Sequence, residues 1–309
     1  MDATINRIRT KLSELPDTEK AVLGPVLTEA QVSAFEDSHG VRLPEEFRQF
    51  LTRIGHGGYG PTYGLLPMER WVGRGGAQRL TEPFPIVPDP EPDGPDGRGD
   101  VTGSFPGTLT VVHRGCSDFT ALVVTGPGRG RLVECNAEGF FAPYFHADFD
   151  FLSWYERWLD FVLAGHRNLH RFADQMAGSE AELVATLLED RRATRRRAAA
   201  HTFATLPDPS ADLPDTLLRA LREEPHSQVR EAILRSLAAQ GEPGRDLLGA
   251  ALADPVPEIR SLAAVLMIIT GQGKWHLAPG HREALGRHLV DETDDAVRDS
   301  IERVLAHAA

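Results

Sequence analysis

The sequence predicts an α+β domain over residues 1–170 and an all-α solenoid of helical repeats over residues 171–309. Three observations predict it. First, apolar runs at 121–124 and 132–135 flank a turn made of Gly126, Pro127, Gly128 and Gly130, and an aromatic-rich amphipathic segment follows. That order is the pattern of a β-hairpin closed by a helix. Second, glycine and aromatic residues thin out after Gly165, while Ala, Leu and Arg rise. Third, the second half repeats one pattern: a Pro or Asp turn, a Val/Ile-Arg pair, then a face of Ala, Leu and Ile.

The first domain is justified element by element. Ile5, Ile8, Leu12 and Leu15 recur at helical spacing and predict a helix over 2–23, ended by Pro25. Thr28 and Gln31 fit a capping box, Val32 and Phe35 form the apolar stripe behind it, and Gly40 is the stop. Pro44 suits the first turn of a third helix, where its missing N–H costs nothing. Glu45 and Glu46 sit near the positive end of that helix dipole, and Phe47, Phe50, Leu51 and Ile54 give its buried face. Gly55, Gly57, Gly58 and Gly60 then break it into a loop. Residues 63–107 are punctuated by Pro and Gly, which predicts a long exposed loop. A strand restarts at 108–113, the hairpin follows, and a helix over 149–164 closes it. Trp154 and Trp158 are one turn apart and share a face, read as core packing against the sheet.

In the second domain the repeat markers are Arg230, Arg260 and Arg298, spaced 30 and 38 residues. A degenerate copy places Arg196 a further 34 residues upstream of Arg230. Second helices such as LPDTLLRALREE and GRDLLGAALAD lie between the markers. Helix pairs of this length that stack on their neighbours make an α-solenoid, and the pattern resembles HEAT repeats. An irregular helical bundle is the alternative.

Composition narrows the function classes. The formal net charge is −12, with 15 basic and 23 acidic residues through Gly165 and 18 against 22 beyond it. An acidic surface disfavours nucleic acid and favours basic partners. The longest strongly apolar run, 262–269, is too short to span a bilayer, and no signal-peptide pattern opens the chain, so a cytoplasmic protein without membrane contact is expected. Cys116 and Cys135 make no disulfide framework and are read as two small buried thiols.

Candidate chemistry is weak throughout. Asp89, Glu91, Asp93, Gly94 and Asp100 copy a calcium-loop spacing, but Pro90, Pro92 and Pro95 stiffen the segment and the last position is Asp, so a solvated acidic loop accounts for it better. Gly126, Gly128 and Gly130 lie between strands, where a turn is preferred to a phosphate cradle. His166 and His170 have metal-ligand spacing, but Arg167 and Arg171 stand beside them; they are read as surface histidines, and His281 and His288 are no stronger. Arg191, Arg192, Arg195, Arg196 and Arg197 form a basic cluster, read as a helix face with local ion pairs to the acidic residues before it. No nucleotide-binding, zinc-protease or serine-hydrolase motif appears, and no catalytic residue, metal or cofactor is assigned.

Three blocks carry a family resemblance. One runs from Thr28-Glu29 through Phe35-Glu36 to Val41-Arg42-Leu43-Pro44-Glu45-Glu46-Phe47. Another joins Phe50-Leu51 to Gly57-Gly58 and Gly64-Leu65-Leu66-Pro67. The last holds Gly115-Cys116, Leu122-Val123-Val124-Thr125-Gly126, Gly130, then Phe151-Leu152-Trp154-Tyr155-Trp158-Leu159. In this order they resemble the SUKH superfamily, founded on the yeast Smi/Knr cell-wall regulators, over roughly residues 25–165. The chain departs from the pattern at Leu132-Val133-Glu134, where relatives often place a Trp, and in the repeats that follow.

The resemblance implies an α+β fold, no shared catalytic residues, and binding as the function, because bacterial members are mostly inferred to be immunity proteins that neutralise a cognate toxin. The expected function is therefore a non-catalytic immunity protein that occludes a basic toxin domain of nuclease or deaminase type. The alternative is a cytoplasmic scaffold that binds a protein through the repeats. Partner-binding candidates are Tyr59, Tyr63 and Trp71, aromatic residues in loops, and Asp93 and Asp96 in the acidic segment.

Overall fold

A computed structural model describes residues 1–15, 22–72, 79–88, 105–166, 169–271 and 274–307. The chain divides into two compact units, Met1–Asp174 and Gln175–Ala309, a boundary slightly beyond the one expected at 170.

In the first unit, α1 (Asp2–Glu14) buries Ile5 and Ile8 completely and packs on α4. The helix stops well short of residue 23, because Leu15 precedes Pro16 and takes an extended conformation (φ −63°, ψ 140°). Leu23 is not helical either: β1 (Leu23–Gly24) pairs antiparallel with β2 (His56–Gly58). Glycine permits that pairing, since a Cβ on Gly58 (φ +94°) would lie 2.2 Å from the Val22 carbonyl oxygen.

The next helices follow the sequence closely. α2 (Glu29–His39) opens with a complete Thr28–Gln31 capping box and ends on Gly40 in the left-handed conformation (φ 67°). α3 (Glu45–Arg53) buries Phe47, Phe50 and Leu51. Between them Glu36 is buried and accepts from the Leu43 amide at 2.8 Å and from Arg42 and Arg48 at 2.7 Å each. Burial alone would raise its carboxyl, but these donors override it and hold it below the usual carboxylate range.

β3 (Thr108–Gly115), β4 (Asp118–Val123), β5 (Leu132–Asn136) and β6 (Tyr144–Phe145) form an antiparallel sheet in that order. Strand alternation splits the core. Leu122 and Leu132 join the larger cluster, formed with α1 to α4, while Ala121, Val123, Val133 and Cys135 face a smaller one. That second cluster is completed by Phe84, Ile86 and Phe105. The expectation of an exposed loop over 63–107 is therefore corrected in its described part: apolar residues between prolines need no strand to cover the sheet's second face. α4 (Phe151–Leu163) starts at an Asp150–Ser153 capping box and buries Trp154, Tyr155 and Trp158.

The second unit comprises α5 (Glu180–Glu189), α6 (Ala193–Phe203), α7 (Leu213–Glu223), α8 (Ser227–Ala239), α9 (Glu242–Asp246), a 3-10 segment Leu247–Ala253, α10 (Pro257–Leu266), α11 (Pro279–Asp291) and α12 (Asp295–His307). The four helices that carry the marker arginines stack in order, α6 on α8, α8 on α10 and α10 on α12. That is a solenoid-like row.

Each marker binds a carboxylate further along the chain, a carbonyl six residues upstream, or both. Arg196 grips Glu224 at 2.8 and 2.9 Å and donates to the Asp190 carbonyl at 2.8 Å. Arg230 pairs with Asp254 at 3.1 Å. Arg260 grips Glu292 at 2.8 Å through two nitrogens and donates to the Asp254 carbonyl at 2.9 Å. Arg298 donates to the Glu292 carbonyl at 3.0 Å. In the copies of Arg196, Arg260 and Arg298 the carbonyl lies six residues upstream, so the degenerate copy is a true structural equivalent. Among its described residues the unit also holds strands: β7 (Ile269–Gly271) and β8 (Lys274–His276) form a hairpin. The β-branched run Ile268-Ile269-Thr270, followed by Gly271, favours strand and turn over a longer α10.

Candidate functional site

The expected partner-binding residues that the structure describes differ in exposure. Trp71 is 1% exposed. Its ring packs between Phe35 and Phe47 at 5.3 and 5.1 Å, and its Nε1–H donates to the Leu66 carbonyl at 2.9 Å. An indole this size in a loop has been drawn inward because both its apolar ring and its single donor find partners there, so it offers no surface to a second protein. Tyr59 is half-buried against Trp158 at 4.7 Å, and its carbonyl accepts from the Tyr155 hydroxyl at 3.0 Å. Tyr63 is 75% exposed. Asp93 and Asp96, with the calcium-like spacing around them, lie outside the described residues.

The sheet holds a buried polar knot that sequence reasoning missed. Glu134, on β5, accepts from Arg114 Nη1 at 2.5 Å, Thr120 Oγ1 at 3.0 Å and His146 Nε2 at 3.1 Å. Trp154 Nε1 donates to His146 Nδ1 at 3.0 Å. An indole only donates, so Nδ1 is the acceptor and Nε2 carries the proton given to Glu134. Both imidazole nitrogens are therefore engaged, and the ring ties α4 to the sheet. The knot matches a structural role: every atom named has its partner, and Glu134 and His146 are 0% and 1% exposed. The available signal was a Glu in the otherwise apolar run Leu132-Val133-Glu134-Cys135.

The remaining candidates resolve individually. Gly126, Gly128 and Gly130 lie in the connection between β4 and β5, as a hairpin requires. The His166 ring stacks on Phe161 at 4.1 Å, and burial first, then Arg157, pushes its pKa down. His281 and His288 bond to Asp246 and Glu292, each at 2.9 Å. Among the described residues no group of three His, Cys, Asp or Glu could hold a metal. The arginine cluster splits: Arg196 is the buried clamp, Arg195 pairs with Asp190 at 2.7 Å, and Arg191 and Arg192 are exposed. Cys135 is buried, and burial followed by Glu134 pushes its thiol well up. Cys116 is exposed, contrary to expectation, because it sits in the tight turn between β3 and β4 with φ 46°. No helix of the described residues is long and apolar enough to cross a membrane.

Residues 26–158 match the model of the SMI1 / KNR4 family (SUKH-1). The matched residues hold α2, α3, the four-stranded sheet and the aromatic start of α4, and they lie within the first unit. No curated protein and no solved structure matches the chain.

Proposed function

We propose that this chain is a cytoplasmic, non-enzymatic immunity protein that neutralises a basic toxin domain, of nuclease or deaminase type, by covering its active-site cleft at one-to-one stoichiometry. The observation that carries the reading is the match of residues 26–158 to SUKH-1, a family whose bacterial members are mostly inferred to act this way. Charge supports the choice of partner. The net charge of −12 steers a basic cleft toward the protein and raises the association rate, most strongly at low salt. Co-expression tests it: the toxin encoded by the neighbouring gene should arrest growth alone and spare cells that also make this chain. Arrest that persists despite soluble, abundant chain removes the reading.

A second reading has its own observation. The stacked row α6, α8, α10 and α12 builds the kind of extended surface on which solenoids bind proteins, and Val290 stands 79% exposed on α11. On that reading the chain is a scaffold and the SUKH-1 domain an accessory module. Substitutions on the repeats, rather than on the first unit, would then abolish binding.

A further inference from the structure

We propose that the hairpin-turn end of the four-stranded sheet, with Tyr63 and Phe140 as aromatic anchors, is the face on which the basic protein partner docks. The inference rests on the immunity reading and names its surface.

Tyr63 and Phe140 are 75% and 78% exposed; Phe149, at 72%, stands elsewhere, beside Arg131. Tyr63 and Phe140 are far apart in sequence, and one turn links them. The Tyr63 ring lies over Gly115, where a Cβ would sit 3.3 Å from its edge. Gly115 opens the tight turn between β3 and β4. On the other side of that turn the Ser117 carbonyl accepts from the Ala137 amide at 2.9 Å. Asn136 Nδ2 donates to Ser117 Oγ at 2.9 Å and to Asp118 Oδ1 at 2.5 Å. Asn136 Oδ1 accepts from the amides of Glu138 and Phe140 at 2.9 and 3.0 Å, which fixes the backbone beneath the Phe140 ring. Both rings stand in solvent on backbone that is already pinned. A large ring with two χ angles on ordered backbone loses little entropy on binding, the property that makes aromatic residues strong interface anchors.

The backbone here is also strained. Among the described residues two that are not glycine have positive φ, Thr62 (55°) and Cys116 (46°). Thr62 precedes Tyr63, and Cys116 follows Gly115. A β-branched residue in this region is an outlier, and such strain persists where the surroundings impose it, commonly at binding surfaces.

Charge selects the partner. Asp118 and Glu138 lie at this end of the sheet. The adjacent cation, Arg114, is committed to Glu134 and to the His170 carbonyl, so it does not offset them. His113, exposed at the end of β3, accepts from the Gly115 amide through Nδ1 at 3.2 Å. Two exposed rings on ordered backbone, beside the exposed Glu138, fit a basic surface with apolar pockets.

The test is surface plasmon resonance with the full chain and the purified toxin domain encoded by the neighbouring gene. Tyr63→Ala and Phe140→Ala should each weaken binding about thirtyfold, which is about 2 kcal/mol at 1.4 kcal/mol per decade. Glu138→Lys should slow association and flatten its salt dependence. Val290→Ser, on the repeats, should leave the dissociation constant unchanged. All four variants alter exposed side chains, so their melting temperatures should match the parent. Parent binding with both alanine variants within about twofold of it overturns the surface and leaves the immunity reading standing. Weakening by Val290→Ser alone also overturns the surface and moves the partner to the repeats. No binding by the parent overturns both.

Discussion

The two units are held together in different ways. The first ties its sheet to α4 with a polar knot, in which Glu134 gathers Arg114, Thr120 and His146, and Trp154 completes the chain. The second uses one device repeatedly, an arginine near a helix start that grips a carboxylate 24 to 32 residues on, as in Arg196–Glu224, Arg230–Asp254 and Arg260–Glu292. The difference concerns cooperativity. A knot contributed by several strands and a helix is all-or-none, whereas a repeated clamp leaves each repeat dependent mainly on its neighbours. Surface specialisation follows the same division. Among the described residues the repeats add a hairpin, while the first unit places its two positive-φ non-glycine residues, Tyr63 and Phe140 together at one end of its sheet.

The largest effect should come from the knot. Trp154→Ala removes a fully buried indole and leaves His146 Nδ1 without its donor, so the first unit should lose about 4 kcal/mol, read by chemical denaturation. A loss under about 1 kcal/mol would mean that the knot does not organise the unit.

A smaller and more local effect is expected from the clamps. Glu292→Gln removes the charge and replaces one acceptor oxygen of the Arg260 clamp with an NH2 donor, and should cost about 3 kcal/mol, with hydrogen exchange rising around α10 to α12 and not around α5 to α7. Glu292 also sets an acid limit. The Arg260 bond holds its carboxyl down to about 2, against an ordinary value near 4.5. A carboxyl depressed in the folded state contributes fully above its unfolded pKa and loses that contribution as pH falls toward its folded one. The second unit should therefore weaken between about pH 4.5 and pH 2, and Glu292→Gln should flatten that slope. An unchanged slope would place the acid limit elsewhere.

The smallest effect is expected at the exposed rings. Tyr63→Ala and Phe140→Ala should change stability by no more than about 0.5 kcal/mol. Together with a loss of binding, that result would separate the surface that recognises a partner from the interactions that hold the fold. A large destabilisation would show that the rings pack rather than recognise.

How much was legible in the sequence follows the same physical line. Local and periodic signals survived: the Thr28–Gln31 box, the Gly40 stop, the hairpin glycines and the marker arginines, including the degenerate copy at Arg196. Each depends on neighbours in sequence or on a repeat distance. Long-range competition was invisible. Trp71 looked like a free loop aromatic because nothing nearby reveals Phe35, Phe47 and the Leu66 carbonyl waiting for it. The Glu134 knot joins residues from 114 to 154, and Phe84 and Phe105 cover the sheet from a segment whose prolines signal only a loop. The candidate surface was half legible. Tyr63 could be chosen from its loop, but Phe140 joins it only through the Gly115 turn and the bonds of Asn136.

Hydrogen–deuterium exchange of the full chain, alone and with one equivalent of the neighbouring toxin domain, tests the central claim most directly. The account predicts new protection at residues 60–65, 113–118 and 136–141, with exchange across 175–307 unchanged. Protection confined to 175–307 would contradict it.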